Sequence, residues 1–458
     1  MRFISLLIVL ALIKQISAEC YQPANLLKSV SQIKRVECGA WTIEENLNDG
    51  NSPKFNQEGT PSDESMFQVT FTCGLDNQVE LCKKVENSFL NAGKIISSVL
   101  KLNTKIKVNA QFFNFCKTPP TCSIRETKVI GAAGPTNFYS LMDEVDGSER
   151  LYPQALVKQF NFQEHPMYEE FDILAMFNSR FTYHFDGDVT PMKAKDVDFT
   201  YVITHELIHG LGFASSWSPL NDPSGQPLGL IPAVVSLDSG ADGHVIPKFD
   251  EPITVKEFIF DKFMIRLDDG TFISNYTKKI HEFFVAKKDV MEVMTYEELG
   301  KTPEFRLMQD MLRLSTTPKS LGFLPHDTTD YIKGSAILET SYAKYDEGSS
   351  VSHLDFATYF NTSDFMMMAK AISGKTHDEL IKRNESYTGG MIGPKIKSIL
   401  ESMGKPQPFI KPTTQEPQDA NVTSTISSNA PVSNSLFFNF TIQLYIIICI
   451  VTIINLIL

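Results

Sequence analysis

The sequence predicts an α+β fold: a twisted mixed sheet, one site-bearing helix and a long insertion. Three observations carry this. Apolar and polar residues alternate over 66–73 and again over 105–115, the period of strands with one buried face. Between them, 77–101 places Val79, Val85, Phe89, Ile96 and Leu100 at helical spacing. Farther on, the apolar run Phe171 to Asn178 reads as a buried strand, and a second helical pattern follows a polar loop.

Each element has its own reason. Lys105 to Phe115 puts Ile106, Val108, Ala110 and Phe112 on one side of a strand. Gly131-Ala132-Ala133-Gly134-Pro135 reads as a turn or loop, because Gly and Pro punctuate regular structure. Leu151 to Phe160 reads as a short helix. The loop after Asn178 holds His184, Asp186, Gly187 and Asp188; a polar turn is the simpler reading of the two aspartates, calcium ligation the sharper one. Asp196 or Asp198 then suits a helix N-cap, with Phe199, Val202, Ile203 and Leu207 as the apolar face and Gly210 and Gly212 as the stop. A last helix is expected over Lys395 to Met403, after Gly393-Pro394.

The ends have a different composition. Residues 1–18 read as a secretory signal peptide: Arg2, then the apolar run Phe3 to Ile13, then Ser17-Ala18 as a small-residue cleavage site. Residues 19–61 form a Cys-containing N-terminal extension, and 62–404 the main domain. Residues 405–428 are rich in Ser, Thr and Pro and read as a stalk. From Leu436 to Leu458 the chain is almost wholly apolar, and its last basic residue is Lys411. Small residues around Ser428, a spacer and an apolar tail have the layout of a GPI-anchor signal over 429–458, with Ser428 the candidate attachment residue. A plain C-terminal membrane span is the alternative. Either way the domain is expected on the outer face of the plasma membrane or outside the cell.

With 42 basic and 54 acidic residues the net charge is −12, and no Lys/Arg stripe appears, so nucleic acid is not an expected partner. Of seven Cys, Cys449 lies in the tail. The others, Cys20, Cys38, Cys73, Cys82, Cys116 and Cys122, form an even set that suits three disulfides in an oxidising compartment. Spacing leaves the pairing open; local pairs Cys20–Cys38, Cys73–Cys82 and Cys116–Cys122 are favoured. A sharper alternative has an N-terminal Cys holding a metal and keeping the protein latent. Glycosylation sequons stand at Asn275, Asn384 and Asn421, with Asn361 too close to the site below and Asn439 in the tail.

The chemistry centres on His205-Glu206-Leu207-Ile208-His209. On a helix, residues i and i+4 share a face, so both imidazoles can point at one metal ion. Glu206 is turned aside, where its carboxylate can reach water at that metal without binding it. This arrangement is a signature of zinc-dependent peptide hydrolysis. Catalytic zinc takes three protein ligands and leaves one position open. The candidates downstream for the third are His244, His281, His326, His353 and His377.

His353 stands out by its context. Gly348-Ser349-Ser350-Val351-Ser352-His353-Leu354-Asp355 is followed by Asn361 to Asp364 and then Phe365-Met366-Met367-Met368. A histidine shortly before a run of Met resembles the leishmanolysin-like branch of the metzincins, in which a long insertion separates the zinc helix from the third His. The flanks also look like that group: Ala133 to Thr136, Asp172, Gly210 to Phe213, and Gly393-Pro394. The resemblance spans 62–404 and is loose across 217–340, the insertion. Ser215 stands where compact metzincins carry their third ligand.

The resemblance implies a zincin-like catalytic domain with one Zn2+ held by His205, His209 and His353, Glu206 as general base, and Met367 beneath the metal, with Met366 and Met368 as rivals. It also implies that the stretch around 180–186 adds a strand to the substrate backbone. The expected function is a cell-surface zinc endopeptidase acting on proteins or peptides. Two rivals stay open: a site whose third ligand is a Glu, such as Glu339 or Glu347, and an inactive zincin-scaffold adhesion or binding protein.

Overall fold

The structure, a computed structural model, describes residues 18–27, 29–39, 57–58, 65–116, 122, 128–222, 224–236, 254–287, 296–383, 387 and 389–405. The chain divides into two units, Met1–Thr413 and Thr414–Leu458. The second lies wholly outside the described residues, as do Ser428 and nearly all of the residues read as signal peptide and stalk. Among the described residues no helix is long and apolar enough to cross a membrane.

In chain order the strands that position the site are β1 (Glu19–Asn25), β2 (Ser29–Val36), β3 (Gln57–Glu58), β4 (Phe67–Cys73), β5 (Ile106–Phe113), β6 (Gly131–Pro135), β7 (Phe138–Met142), β8 (Glu149–Pro153) and β9 (Ile173–Asn178). They continue with β10 (Tyr183–His184), β11 (Val197–Asp198), β12 (Ser218–Asn221), β13 (Pro227–Ile231), β14 (Ala233–Ser236) and β15 (Thr254–Phe258). The helices used below are α1 (Val79–Val99), α2 (Gln154–Val157), α3 (Phe199–Gly210), α4 (His377–Lys382) and α5 (Pro394–Met403).

A mixed five-stranded sheet runs β3-β4-β5-β9-β6. β4, β5 and β9 are parallel neighbours, and β6 closes one edge antiparallel to β9. In β4 every second residue is buried, which matches its alternation in sequence. On α1, Val85, Phe89, Ala92 and Ile96 are the buried stripe, at helical spacing. α3 is buried nearly all round. Its first residue, Phe199, is ringed by Tyr183, Phe185, Phe177 and Phe112 at centroid distances of 4.5, 5.2, 5.5 and 5.7 Å, which pins the helix to the sheet.

A second group of strands forms a closed barrel, β1-β2-β14-β15-β8-β7. This corrects one boundary: residues 19–36 belong with the main domain, because β1 and β2 pair with β7 and β14 and complete the barrel. The stretch 217–340, read as an insertion, supplies β14 and β15 to it. Buried Arg150 on β8 ties the barrel together through Glu257 at 2.9 Å and Asp143 at 3.2 Å.

Two local expectations also change. Residues 131–135 form a strand, not a loop: small residues let the backbone lie close to β9, and a Cβ on Gly131 would stand 2.6 Å from the Phe177 ring. Residues 149–153 form β8, and only Gln154–Val157 is helical, because barrel pairing with β7 claims the earlier half.

Candidate metal centre

The helix that carries the motif begins where a cap is available. Asp198 is the N-cap, and its carboxylate accepts from the Tyr201 N–H at 2.8 Å. The chain leaves α3 through Gly212, at φ +110°, a conformation that favours glycine. Between these ends His205 and His209 lie one turn apart. His353 reaches them from a loop more than a hundred residues away.

The three side chains converge at their tips. Nε2 of His205 is 3.0 Å from Nε2 of His353 and 3.2 Å from that of His209, and the remaining pair is at 3.1 Å. Each Nδ1 faces a backbone carbonyl: Met366 for His205 at 2.7 Å, Phe213 for His209 at 2.6 Å, Ser349 for His353 at 3.1 Å. A carbonyl only accepts, so each Nδ1 carries the hydrogen and each Nε2 presents a lone pair. Three lone pairs pointed at one another cannot satisfy each other, whereas a cation would satisfy all three. Zinc bonds of 2.0–2.1 Å in a tetrahedron put ligand nitrogens about 3.3 Å apart, close to the separations here.

Electrostatics favours the same state. Burial holds His205 down to about 4, against a smaller opposing effect of the Met366 carbonyl. Burial and the nearby His205 hold His209 down to about 3, and burial with both neighbours keeps His353 well below its ordinary value. All three are neutral at pH 7, the form that ligates metals.

The loop that delivers His353 is strained and heavily tied. Val351, fully buried, has φ +57°, a conformation costly for a β-branched residue, by about 1–3 kcal/mol. Val351 N–H donates to the Glu339 carbonyl and Glu339 N–H to the His353 carbonyl. The Ser352 hydroxyl accepts from Ser215 N–H at 3.1 Å, so the residue at that position braces the third histidine's loop. The Glu339 carboxylate is taken by Ser341 and by Phe356 N–H, so it holds the loop and does not face the histidines.

Glu206 points to the edge of the sheet, where its carboxylate accepts from the Ala133 N–H at 3.0 Å. Burial pushes its pKa up to about 8, with that hydrogen bond opposing. The strand beside the site is therefore β6. The stretch 180–186 is not: β10 pairs with β11 and does not line the cleft. The small residues of 131–134 were the available signal, since close backbone approach needs them.

The Met run lies under the centre. Met366, Met367 and Met368 are all buried. Met366 touches His205 through its carbonyl, Met368 lines the cleft, and the Met367 carbonyl accepts from Leu354 N–H. The remaining histidines stay apart. His281 faces the Val255 carbonyl, His326 pairs with Asp327, and His184 lies 4.0 Å from Asp188; His244 falls outside the described residues. His377 joins a second cluster with Asp186 and Asp198, its Nδ1 2.9 Å from Asp198. Asp188 pairs with Lys84, and Asp186 accepts from Thr200.

The three histidines and Glu206 open on a cavity of about 700 Å³. Its walls are β6, the segment Ala214 to Trp217, the loop Tyr345 to His353, and the β1–β2 turn at Leu26 and Leu27. Cys20–Cys38, Cys73–Cys82 and Cys116–Cys122 are paired, with Cα atoms 5.3, 6.0 and 5.5 Å apart. This engages all six cysteines and leaves none for the metal. Of the sequons, Asn275 is exposed, and Asn384 and Asn421 lie outside the described residues.

Fold and site together define a mixed α/β protein with a buried three-histidine centre beside a sheet edge. Residues 50–425 match the family described as SPBPB7E8-like, and the chain belongs to that family. It is similar to the uncharacterized protein PB7E8.01 of Schizosaccharomyces pombe, at 28% identity over 363 residues. That alignment covers 74% of this chain and 62% of the relative, so the chain spans less than two thirds of that protein's length. No solved structure matches.

Proposed function

We propose that this chain is a zinc-dependent endopeptidase displayed at the cell surface, of the leishmanolysin-like metzincin type. One observation carries the proposal: three neutral imidazoles aim lone pairs at a single point, with the Glu206 carboxylate held beside it at a sheet edge. A metal is the ordinary partner of such a set, and a carboxylate next to it is the ordinary base.

When bound, zinc supplies Lewis acidity, polarising a scissile carbonyl and acidifying water to a pKa of about 7. His205, His209 and His353 stay neutral throughout, oriented by the Met366, Phe213 and Ser349 carbonyls. Glu206 takes the proton of the attacking water and returns it to the leaving amide nitrogen. Its raised pKa suits the second task; the first needs the carboxylate, which a nearby divalent cation favours. Among the described residues β6 is an edge strand, along which an extended substrate can pair, backbone to backbone. Lipid attachment at Ser428 belongs to the same reading and rests on the composition of 429–458.

The test is zinc content and casein cleavage side by side, with and without phenanthroline. About one zinc per chain and cleavage abolished by the chelator support the proposal. Zinc without cleavage of any substrate would favour a binding protein on the same scaffold. Release from cells by a phosphatidylinositol-specific phospholipase tests the anchor, and retention would favour a membrane span.

A further inference from the structure

His205 and His209 are carried by α3, whereas His353 stands in a loop. One residue ties that loop down on both sides of the histidine. Before it, Val351 N–H donates to the Glu339 carbonyl at 2.9 Å; at the histidine itself, Glu339 N–H donates to the His353 carbonyl at 2.8 Å. Beyond it, the Glu339 carboxylate accepts from Phe356 N–H at 3.1 Å, at the start of the short helix Phe356–Tyr359. The other carboxylate oxygen is fixed by Ser341, from its N–H at 2.9 Å and its hydroxyl at 2.5 Å. Glu339 is 1% exposed, and burying a carboxylate is unfavourable unless hydrogen bonds offset it. Packing alone would be served as well by an apolar side chain of the same shape, so the charge is explained by the donors it gathers. Those donors hold a loop under strain. Val351 is fully buried at φ +57°, a region that disfavours a β-branched side chain. Such a conformation persists only where its surroundings over-determine it, and such residues cluster at functional sites.

We propose that Glu339 is the positioning residue of the third histidine: its main chain and carboxylate together keep Val351 in the left-handed conformation and hold the His353 imidazole against the tips of His205 and His209. The inference rests on the zinc site proposed above and adds the residue that sets its affinity. Glu339 acts only through His353. Groups outside the ligand set that orient a ligand contribute strongly to metal affinity, because a ligand already in place loses less freedom when the cation binds.

Zinc affinity separates a positioning role from a structural one. A residue that merely supports the fold lowers the urea midpoint of the metal-free protein and leaves the zinc Kd of the folded molecules alone. In Glu339→Gln one of the carboxylate's donors must face an amide NH2 group, while the backbone ties remain. The wild type is expected to take up zinc, and Glu339→Gln to hold it about 10–100-fold more weakly in competition with a chromophoric chelator. With cobalt(II) in place of zinc, the d–d bands should be weaker and shifted in the variant, because the third nitrogen no longer keeps its place. Glycine adopts a positive φ without strain, so in a Val351→Gly background the same Glu339→Gln change should weaken zinc by a smaller factor. Glu339→Asp keeps the charge but is one methylene short of both donors; an intermediate loss is expected, and it carries the test should the Gln variant fail to fold. A Kd and a cobalt spectrum unchanged in Glu339→Gln, or a loss undiminished by Val351→Gly, overturns the inference and leaves the zinc site standing. A wild type that takes up no zinc overturns that site and the inference with it.

Discussion

Nε2 of His205 and Nε2 of His353 lie 3.0 Å apart although 148 residues separate them in sequence. Their rings are nearly parallel, with centroids at 5.0 Å, and neither nitrogen has a hydrogen to offer the other. The contact is repulsive without a cation between the tips. His353→Ala should therefore reduce zinc from about one per chain to near zero while far-UV circular dichroism is preserved, because the loop's backbone ties to Glu339 remain. Full zinc occupancy in that variant, by metal analysis, would reject His353 as a ligand.

Glu206→Gln separates binding from chemistry. The amide still accepts from Ala133 N–H but cannot take a proton. Zinc content should be unchanged and casein cleavage should fall by about 10²–10⁴-fold. Turnover within a few-fold of wild type would remove the general-base role.

Asp198 and His377 couple the start of α3 to α4, and their pairing depends on pH. Burial disfavours charge on both, but their hydrogen bond and mutual attraction outweigh it, raising the His377 pKa and lowering that of Asp198. Asp186 and Asp378 also face His377 and act in the same direction. For the histidine, the stabilisation is fully present below its unfolded pKa of about 6.5 and is lost as pH rises through the raised folded value. For the aspartate it is present above about 3.9 and lost as pH falls through the depressed value. A double-mutant cycle with Asp198→Asn and His377→Gln should give a coupling on the order of 1–2 kcal/mol at pH 5.5, shrinking towards pH 9. A coupling equal at both pH values would show that the pair is not an ion pair.

Arg150 is a buried cation among carboxylates, 2.9 Å from Glu257 and 2.7 Å from Asp146. Its removal strands Glu257 without its counter-charge, while Asp143 keeps Lys262 at 2.6 Å. Arg150→Ala should cost about 3–5 kcal/mol in urea unfolding, more than an exposed ion pair would. A loss below about 1 kcal/mol would show that water replaces the guanidinium.

Much of this was legible from local pattern. Strict alternation marked β4 and β5, the 3.6-residue stripe marked α1, and the capping aspartate with its glycine stop marked α3. Short separations made the three local cysteine pairs reachable. β6 was not legible: Gly-Ala-Ala-Gly-Pro has no periodicity, and only the closeness of β9 makes a strand of it. The barrel was hidden for a related reason. β1, β2, β14 and β15 are short, and each is stable only beside partners distant in the chain.

By itself the sequence determined that His205 and His209 share a helix face and that Glu206 stands aside from them, because helical period is a property of neighbouring residues. It also offered Asp196 or Asp198 as the start of that helix, and the fold uses Asp198. The resemblance singled out His353, and the tertiary structure is what brings it, and not His326 or His377, to the tips of the other two. Tertiary structure decided too that Glu206 meets Ala133 on β6. These are contacts between segments far apart in the chain, set by how sheet, barrel and loops pack, and no local spacing encodes them.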